Sequence, residues 1–151
     1  MKTLITAILV CFISLAVSIH PCLSWTEYFN IRYMDLDGDL AEEIIIESKH
    51  GAGSNHYIED MRIFKDKYPE LELIFAVRTL DSYFGLDAPN NYNIVSSVKF
   101  TEQTPENKGI RDIIVESKKA YFKDSDNKII DKEEDLGTKI FKLNDNFYVE
   151  K

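Results

Sequence analysis

The chain carries the run EIIIESK at residues 43–49 and the similar run DIIVESK at residues 112–118. Three consecutive β-branched residues in each run are typical of a central strand that is covered on both faces. The same spacing aligns residues 29–31 with residues 98–100. The two runs indicate an internal repeat, with unit one at about residues 25–93 and unit two at about residues 94–151. Two unrelated buried strands are the alternative.

Strand patterns also surround the two runs. Apolar and polar residues alternate over residues 28–33 and 71–77, which is the period of a half-buried strand. Weaker strands are predicted at residues 57–65, 92–101, 120–123, 139–143 and 147–150, and residues 131–136 fit a single helical turn. The sequence therefore predicts an all-β, mainly antiparallel fold of two propeller-blade-like units. Two units are too few for an ordinary closed propeller, which leaves an open sheet, a sandwich or pairing with another copy.

The composition limits the partners of the protein. The 151 residues include 18 Lys and Arg against 26 Asp and Glu, a formal net charge of −8. Nucleic-acid binding depends on clustered basic side chains that neutralise phosphates, so we expect no nucleic-acid partner. The 44% of hydrophobic residues are enough for one packed domain.

Residues 1–24 have the features of a secretory signal peptide, followed by a single β domain at residues 25–151. Lys2 supplies the positive charge, and residues 4–17 are apolar except for two hydroxyl residues. Cleavage is predicted after Ser18 or Ser24, which makes the protein secreted or periplasmic without a membrane span. Cleavage after Ser24 also removes both cysteines, so the mature domain has no disulfide. An uncleaved membrane anchor is the alternative.

One acidic loop carries the clearest chemical signal, the sequence DLDGDLAEE at residues 35–43. Asp35, Asp37 and Asp39 alternate along a tight turn, so their carboxylates converge and repel one another unless a cation binds. Calcium suits oxygen ligands in a flexible loop. An EF-hand is excluded because Leu40 occupies the position of its glycine and Ile46 that of its bidentate glutamate. A solvated acidic turn without an ion is the alternative.

The acidic loop followed by three isoleucines resembles the calcium loops of FG-GAP and VCBS-type repeats, which are the blade units of integrin-α-like propellers. The resemblance implies one structural Ca²⁺, with ligands from the side chains of Asp35, Asp37, Asp39 and Glu43 and the main-chain carbonyl of Ala41. Glu43 is one methylene longer than the usual aspartate, and Leu40 replaces a common glycine. In unit two, Thr104 and Lys108 align with Asp35 and Asp39, so one metal per chain is expected.

The sequence shows no catalytic set, so an enzyme is not predicted. The predicted function is an exported calcium-binding β domain that acts as a non-enzymatic binding or recognition module. Its partner is a protein or glycan, and the domain itself is expected to be a monomer or to associate weakly. The alternative is a periplasmic inhibitor or immunity-type protein that acts on an envelope enzyme through the loop at residues 51–56.

Export gives the first testable prediction. Residues 1–30 fused to a periplasm-dependent reporter should yield activity, because the apolar segment directs secretion. The same fusion lacking residues 4–17 is the matched control and should be inactive. Mass spectrometry of the exported protein should find Ile19 or Trp25 at its N-terminus. A full-length product confined to the cytosol would contradict the prediction.

Overall fold

The computed structural model describes residues 24–52, 55–85, 91–124 and 128–151. These residues form eight strands and no helix: β1 (Ser24–Met34), β2 (Glu43–Ala52), β3 (His56–Lys67), β4 (Glu70–Tyr83), β5 (Tyr92–Phe100), β6 (Ile113–Phe122), β7 (Ile130–Asn144) and β8 (Phe147–Glu150). Each strand pairs antiparallel with the next, so the strands follow chain order in one open sheet. The predicted all-β, antiparallel fold class and its open-sheet form are confirmed.

Some predictions lie outside the described residues, and others were wrong. The proposed signal sequence up to residue 23 is not described, and neither are Gly53 and Ser54 of the proposed inhibitory loop. In the part of the chain that the structure covers, no helix is long and apolar enough to cross a membrane. The helical turn predicted at residues 131–136 is wrong, because these residues belong to β7 and pair with β6. Their side chains are all exposed, so no apolar alternation marked the strand.

The two predicted repeat runs occupy equivalent positions in their strand pairs, but the strand registers give a different alignment of the preceding strands from the one predicted. Tyr33 lies opposite Ile44 in the first β-pair, and Phe100 lies opposite Ile113 in the corresponding pair of unit two. Tyr33 therefore corresponds to Phe100, and the predicted match of residues 29–31 with 98–100 is wrong by two positions. The cause is a longer connection between β5 and β6 than between β1 and β2. Residues 93 and 94, near the predicted boundary between the units, lie in β5, and we divide the sheet between β4 and β5 into two units of four strands.

The hydrophobic core lies between the two four-strand units. Residues directly opposite one another in an antiparallel pair share a face of the sheet. We call the face of unit one that carries Arg32, Ile45, Ile63 and Phe75 its inner face. It packs on the inner face of unit two, which carries Val98, Phe100, Ile113, Val115 and Phe141. The rings of Phe75 and Phe141 are 5.0 Å apart, and Arg32 lies 5.4 Å from the ring centre of Phe100.

The two units are joined by a short stretch of β4–β5 pairing and by hydrogen bonds to the Asp81 side chain. β4 and β5 pair only over residues 80–83 and 92–95. Asp81 Oδ1 lies 2.7 Å from His56 Nε2 and accepts a hydrogen bond from the Tyr92 hydroxyl at 3.1 Å, and Oδ2 accepts one from Arg78 at 3.1 Å. Burial alone would raise the pKa of Asp81, but these hydrogen bonds outweigh it and hold the pKa below its usual value.

We expect Asp81→Asn to lower the free energy of unfolding at neutral pH by about 1–3 kcal/mol, because it removes charged hydrogen bonds from a half-buried site. A carboxylate with a lowered folded-state pKa stabilises the fold above its unfolded-state pKa, and that contribution is lost as the pH falls through the folded-state value. The difference between wild type and variant should therefore shrink in acid. Denaturant titrations at several pH values measure it.

Asp131→Asn is the control for this prediction. Asp131 forms a 3.0 Å ion pair with Lys123 in which both side chains are more than half exposed, and such surface pairs contribute little. A difference between wild type and Asp81→Asn that is the same at every pH would show that the charge of Asp81 is not the stabilising feature.

Candidate functional site

The acidic loop between β1 and β2 is built from successive hydrogen bonds of aspartate side chains to the backbone. Asp35 Oδ1 accepts from the Gly38 N–H at 2.8 Å, and Asp39 Oδ1 accepts from the Ala41 N–H at 2.8 Å. Gly38 has φ of 80° and Leu40 has φ of 70°. Leu40 thus adopts the left-handed conformation that glycine takes most easily.

Leu36 anchors this loop to unit two. Its side chain is completely buried, and its carbonyl oxygen accepts a hydrogen bond from the Arg111 N–H at 2.8 Å. The hydroxyl of Tyr148 lies 3.3 Å from the same carbonyl oxygen and 2.8 Å from the carbonyl oxygen of Arg111. Gln103 and Arg111 also donate side-chain hydrogen bonds to the carbonyl oxygen of Asp35. The β1–β2 and β5–β6 connections therefore form one joint.

The two connections approach each other closely at a pair of glycines. Both Gly38 and Gly109 have positive φ values, 80° and 78°. A Cβ atom on Gly38 would lie 2.7 Å from the carbonyl oxygen of Lys108. Because that neighbour is backbone rather than a flexible side chain, the joint admits no side chain at residue 38.

The structure brings together the three predicted aspartates. One carboxylate oxygen from each of Asp35, Asp37 and Asp39 lies within 4.8 Å of the others. In the described ranges this is the only group of three acidic, histidine or cysteine side chains with ligand atoms so close. Ala41, whose carbonyl was the fifth predicted ligand, is exposed beside the group.

Glu43 lies next to the three aspartates but outside their close group. Its side chain is only 1% exposed, and Oε2 accepts a hydrogen bond from the Leu36 N–H at 2.7 Å. Oε1 is buried and has no hydrogen-bond partner among the described residues. Burial raises the pKa of Glu43, and repulsion from Asp37 and Asp39 adds to the increase, against the lowering effect of the Leu36 N–H.

Lys65 on β3 is part of the site, although no pattern in the sequence predicted it. Its ammonium group donates hydrogen bonds to Asp37 Oδ2 and, at 2.8 Å, to Asp39 Oδ2. Burial alone would lower the pKa of Lys65, but the two aspartates raise it above its usual value. Lys65 reaches the loop only because β3 pairs with β2 in the observed register, which no local motif encodes. The protein thus places one cation of its own among the carboxylates.

The fold and site together define a class: an all-β domain of two packed four-strand units with an acidic loop at their joint. Comparison of the chain with protein-family models, curated proteins and solved structures found no match. The resemblance to FG-GAP and VCBS-type repeats stays a prediction that rests on the loop residues.

The glycine contact gives a testable prediction about the joint. Gly38→Ala should lower the free energy of unfolding more than Gly137→Ala, which is the matched control. Gly137 also has positive φ, 87°, but an added Cβ would meet nothing within 4 Å. Gly137→Ala should lower the free energy of unfolding by about 1–2 kcal/mol, which is the cost of placing alanine in the left-handed conformation. Gly38→Ala should cost about 1–3 kcal/mol more because of the clash.

Denaturant unfolding in the presence of a chelator measures both variants without any contribution from a bound ion. Equal losses for the two variants would show that the connections do not touch in solution.

Proposed function

We propose that this chain is an exported, non-enzymatic β domain that binds one calcium ion at the joint between its two units and recognises a protein or glycan. The single observation that carries the calcium proposal is the carboxylate of Glu43. A negative charge that is 1% exposed requires compensation by a positive charge or by complete hydrogen bonding, and Oε1 has neither among the described protein groups.

Protonation of Glu43 does not satisfy its free oxygen. Oε2 already accepts from the Leu36 N–H, so a proton on the acid would have to reside on Oε1. No protein donor reaches Oε1 among the described residues, so protonation brings this oxygen no additional donor. A cation bound to Oε1 would compensate the charge and leave the Leu36 hydrogen bond to Oε2 in place.

The donor set fits calcium. All four side chains offer carboxylate oxygens, which are the hard ligands that calcium prefers, and calcium binds six to eight oxygens at about 2.3–2.6 Å. Oxygens that share one such ion lie within about 5 Å of one another, and the three aspartates meet this limit. Asp35, Asp37, Asp39, Glu43 and the Ala41 carbonyl would hold the ion, which neutralises charge and cross-links the loop.

Lys65 sets the strength of calcium binding at this site. Its single positive charge is shared between Asp37 and Asp39, so Asp35 and Glu43 lie outside its hydrogen bonds. Calcium carries two positive charges and could bind all four carboxylates at once. To do so, it must first displace the lysine ammonium group from Asp37 and Asp39. Lys65 is therefore a tethered competitor of the metal, and its removal should strengthen calcium binding.

Thermal unfolding with calcium, magnesium or chelator tests the proposal. Calcium should raise the melting temperature by several degrees, because an ion that binds only the folded state stabilises it by about 2.7 kcal/mol at a hundredfold excess over Kd. Magnesium should give a smaller shift because it demands stricter geometry. Asp37→Asn should remove most of the calcium shift, and the exposed control Asp131→Asn should retain it.

Lys65→Met makes the test sharper because it acts in the opposite direction from Asp37→Asn. In chelator it should melt below wild type, since the aspartates lose their cation, and in calcium it should recover and show a larger shift than wild type. Identical melting of wild type in calcium and in chelator would overturn the calcium proposal. An unchanged shift in Asp37→Asn would place the ion elsewhere.

The proposed role as a recognition module rests on the rigidity of the joint. Loops that a packed scaffold holds in place are the usual carriers of binding function, and here two loops are fixed to each other through Leu36 and the two glycines. Export is inferred from the signal-like sequence of residues 1–24, and the reporter experiment described above tests it.

A further inference from the structure

Each unit has a second, outer face that lies away from the core between the units. In unit one, this outer face is formed by the cross-strand neighbours Tyr33, Ile44 and Phe64, together with Ile31 and Ile46. In unit two, the outer face is formed by Lys99, Ile114 and Ile140, followed along the same side by Val95 and Val149.

The outer face of unit one matches the inner face of unit two position by position. One equivalent pair is basic, Arg62 and Lys139, and on unit one Arg62 and Arg78 form ion pairs with Asp60 on the same face. Four other equivalent pairs are apolar or aromatic: Tyr33 and Phe100, Ile44 and Ile113, Ile46 and Val115, and Phe64 and Phe141. In unit two these residues pack against unit one. The corresponding surface of unit one therefore has the apolar character of a face that accepts another unit.

The outer face of unit two matches the inner face of unit one in the same way. Ile114 and Ile140 correspond to Ile45 and Ile63. The ion pair of Lys99 with Glu116 at 2.7 Å corresponds to the ion pair of Arg32 with Glu47 at 3.1 Å. The contact inside the chain thus joins two different kinds of face, and among the described residues one face of each kind does not pack against the other unit.

Both outer faces expose large apolar side chains, although Ile44 and Ile46 on the unit-one face are already only 7% and 5% exposed. On unit one Tyr33 is 49% exposed and Phe29 is 37% exposed, and on unit two Val95 is 52% exposed and Ile140 is 40% exposed. Removing the remaining exposed apolar surface of these side chains from water would favour association. The two outer faces are also complementary to each other. The outer face of unit one is equivalent to the inner face of unit two, the outer face of unit two is equivalent to the inner face of unit one, and these two inner faces already pack together.

We propose that these outer faces bind each other between two copies of this chain, head to tail. Two copies provide four units, the smallest number found in ordinary closed propellers, and one repeated contact between unlike faces closes such a ring. In the contact inside the chain Arg32 lies over the ring of Phe100. The equivalent pair between copies is Lys99 of one over Tyr33 of the other. The sequence alone predicted a monomer or weak association, and the dimer proposed here goes beyond that prediction.

The oligomeric state tests the proposal, with protein expressed from the full-length sequence so that any N-terminal processing takes place. Light scattering after size exclusion should show a dimer over a hundredfold dilution series, with calcium and with chelator, because the contact does not depend on the ion. Tyr33→Lys and Ile140→Lys, one on each face, should each weaken dimerisation at least tenfold. Circular dichroism should show both variants folded, since both positions are substantially exposed.

Leu40→Lys is the matched control. Leu40 is 91% exposed and belongs to neither face, so this variant should remain a dimer. A mixture of Tyr33→Lys with Ile140→Lys should associate again, because one intact face of each kind is then available. Larger rings that both variants disrupt would also support head-to-tail packing.

Three outcomes would overturn the proposal. They are a wild-type monomer at every concentration, an assembly that survives either face variant, and a mixture of the two variants that stays monomeric at its highest soluble concentration. Binding of an unrelated protein to these faces by a monomeric wild type would likewise overturn it.

Discussion

The backbone hydrogen bond from Arg111 to the carbonyl oxygen of Leu36, 2.8 Å long, fastens the acidic loop of unit one to unit two. Burial of the Leu36 side chain places its N–H against Glu43 Oε2, so the same residue positions the carboxylate that carries the metal proposal. The loop cannot move without opening the contact between the units. Cation binding at the loop, as proposed, would therefore be thermodynamically linked to the stability of the two-unit fold.

The electrostatics of the loop explain why a side chain from another strand belongs to it. Backbone N–H groups satisfy one oxygen of each aspartate, but they do not neutralise the charges. Lys65 neutralises part of the charge and fixes the end of β3 against the loop. Glu43 is buried beyond the hydrogen bonds of the lysine, where a mobile surface counter-ion gives little compensation. The loop thus contains carboxylates that Lys65 compensates directly and a buried carboxyl group, Glu43, with an oxygen that no donor reaches among the described residues.

The sequence was informative where the pattern is local. The runs at residues 43–49 and 112–118 predicted buried strands because continuous β-branched residues need cover on both faces, and the spacing of Asp35, Asp37 and Asp39 predicted their convergence. The sequence did not predict the features that depend on how the strands pair. β7 is a strand because β6 pairs with it, although its side chains from residue 130 to residue 140 are exposed. The longer β5–β6 connection shifted the repeat alignment, and Lys65 reaches the site only through the β2–β3 register.

In this fold, a sheet face that carries an ion pair can still pack against another unit. Arg32 and Glu47 form such a pair on the inner face of unit one, beside Ile45, and this face packs against unit two. The packing succeeds because the guanidinium group lies over the ring of Phe100 while its charge remains paired. Lys99 and Glu116 hold the same positions on the outer face of unit two. The Arg32–Glu47 pair stays 38% and 26% exposed while its face packs, so the equivalent pair of Lys99 and Glu116 is compatible with packing of the outer face when it likewise stays in contact with water.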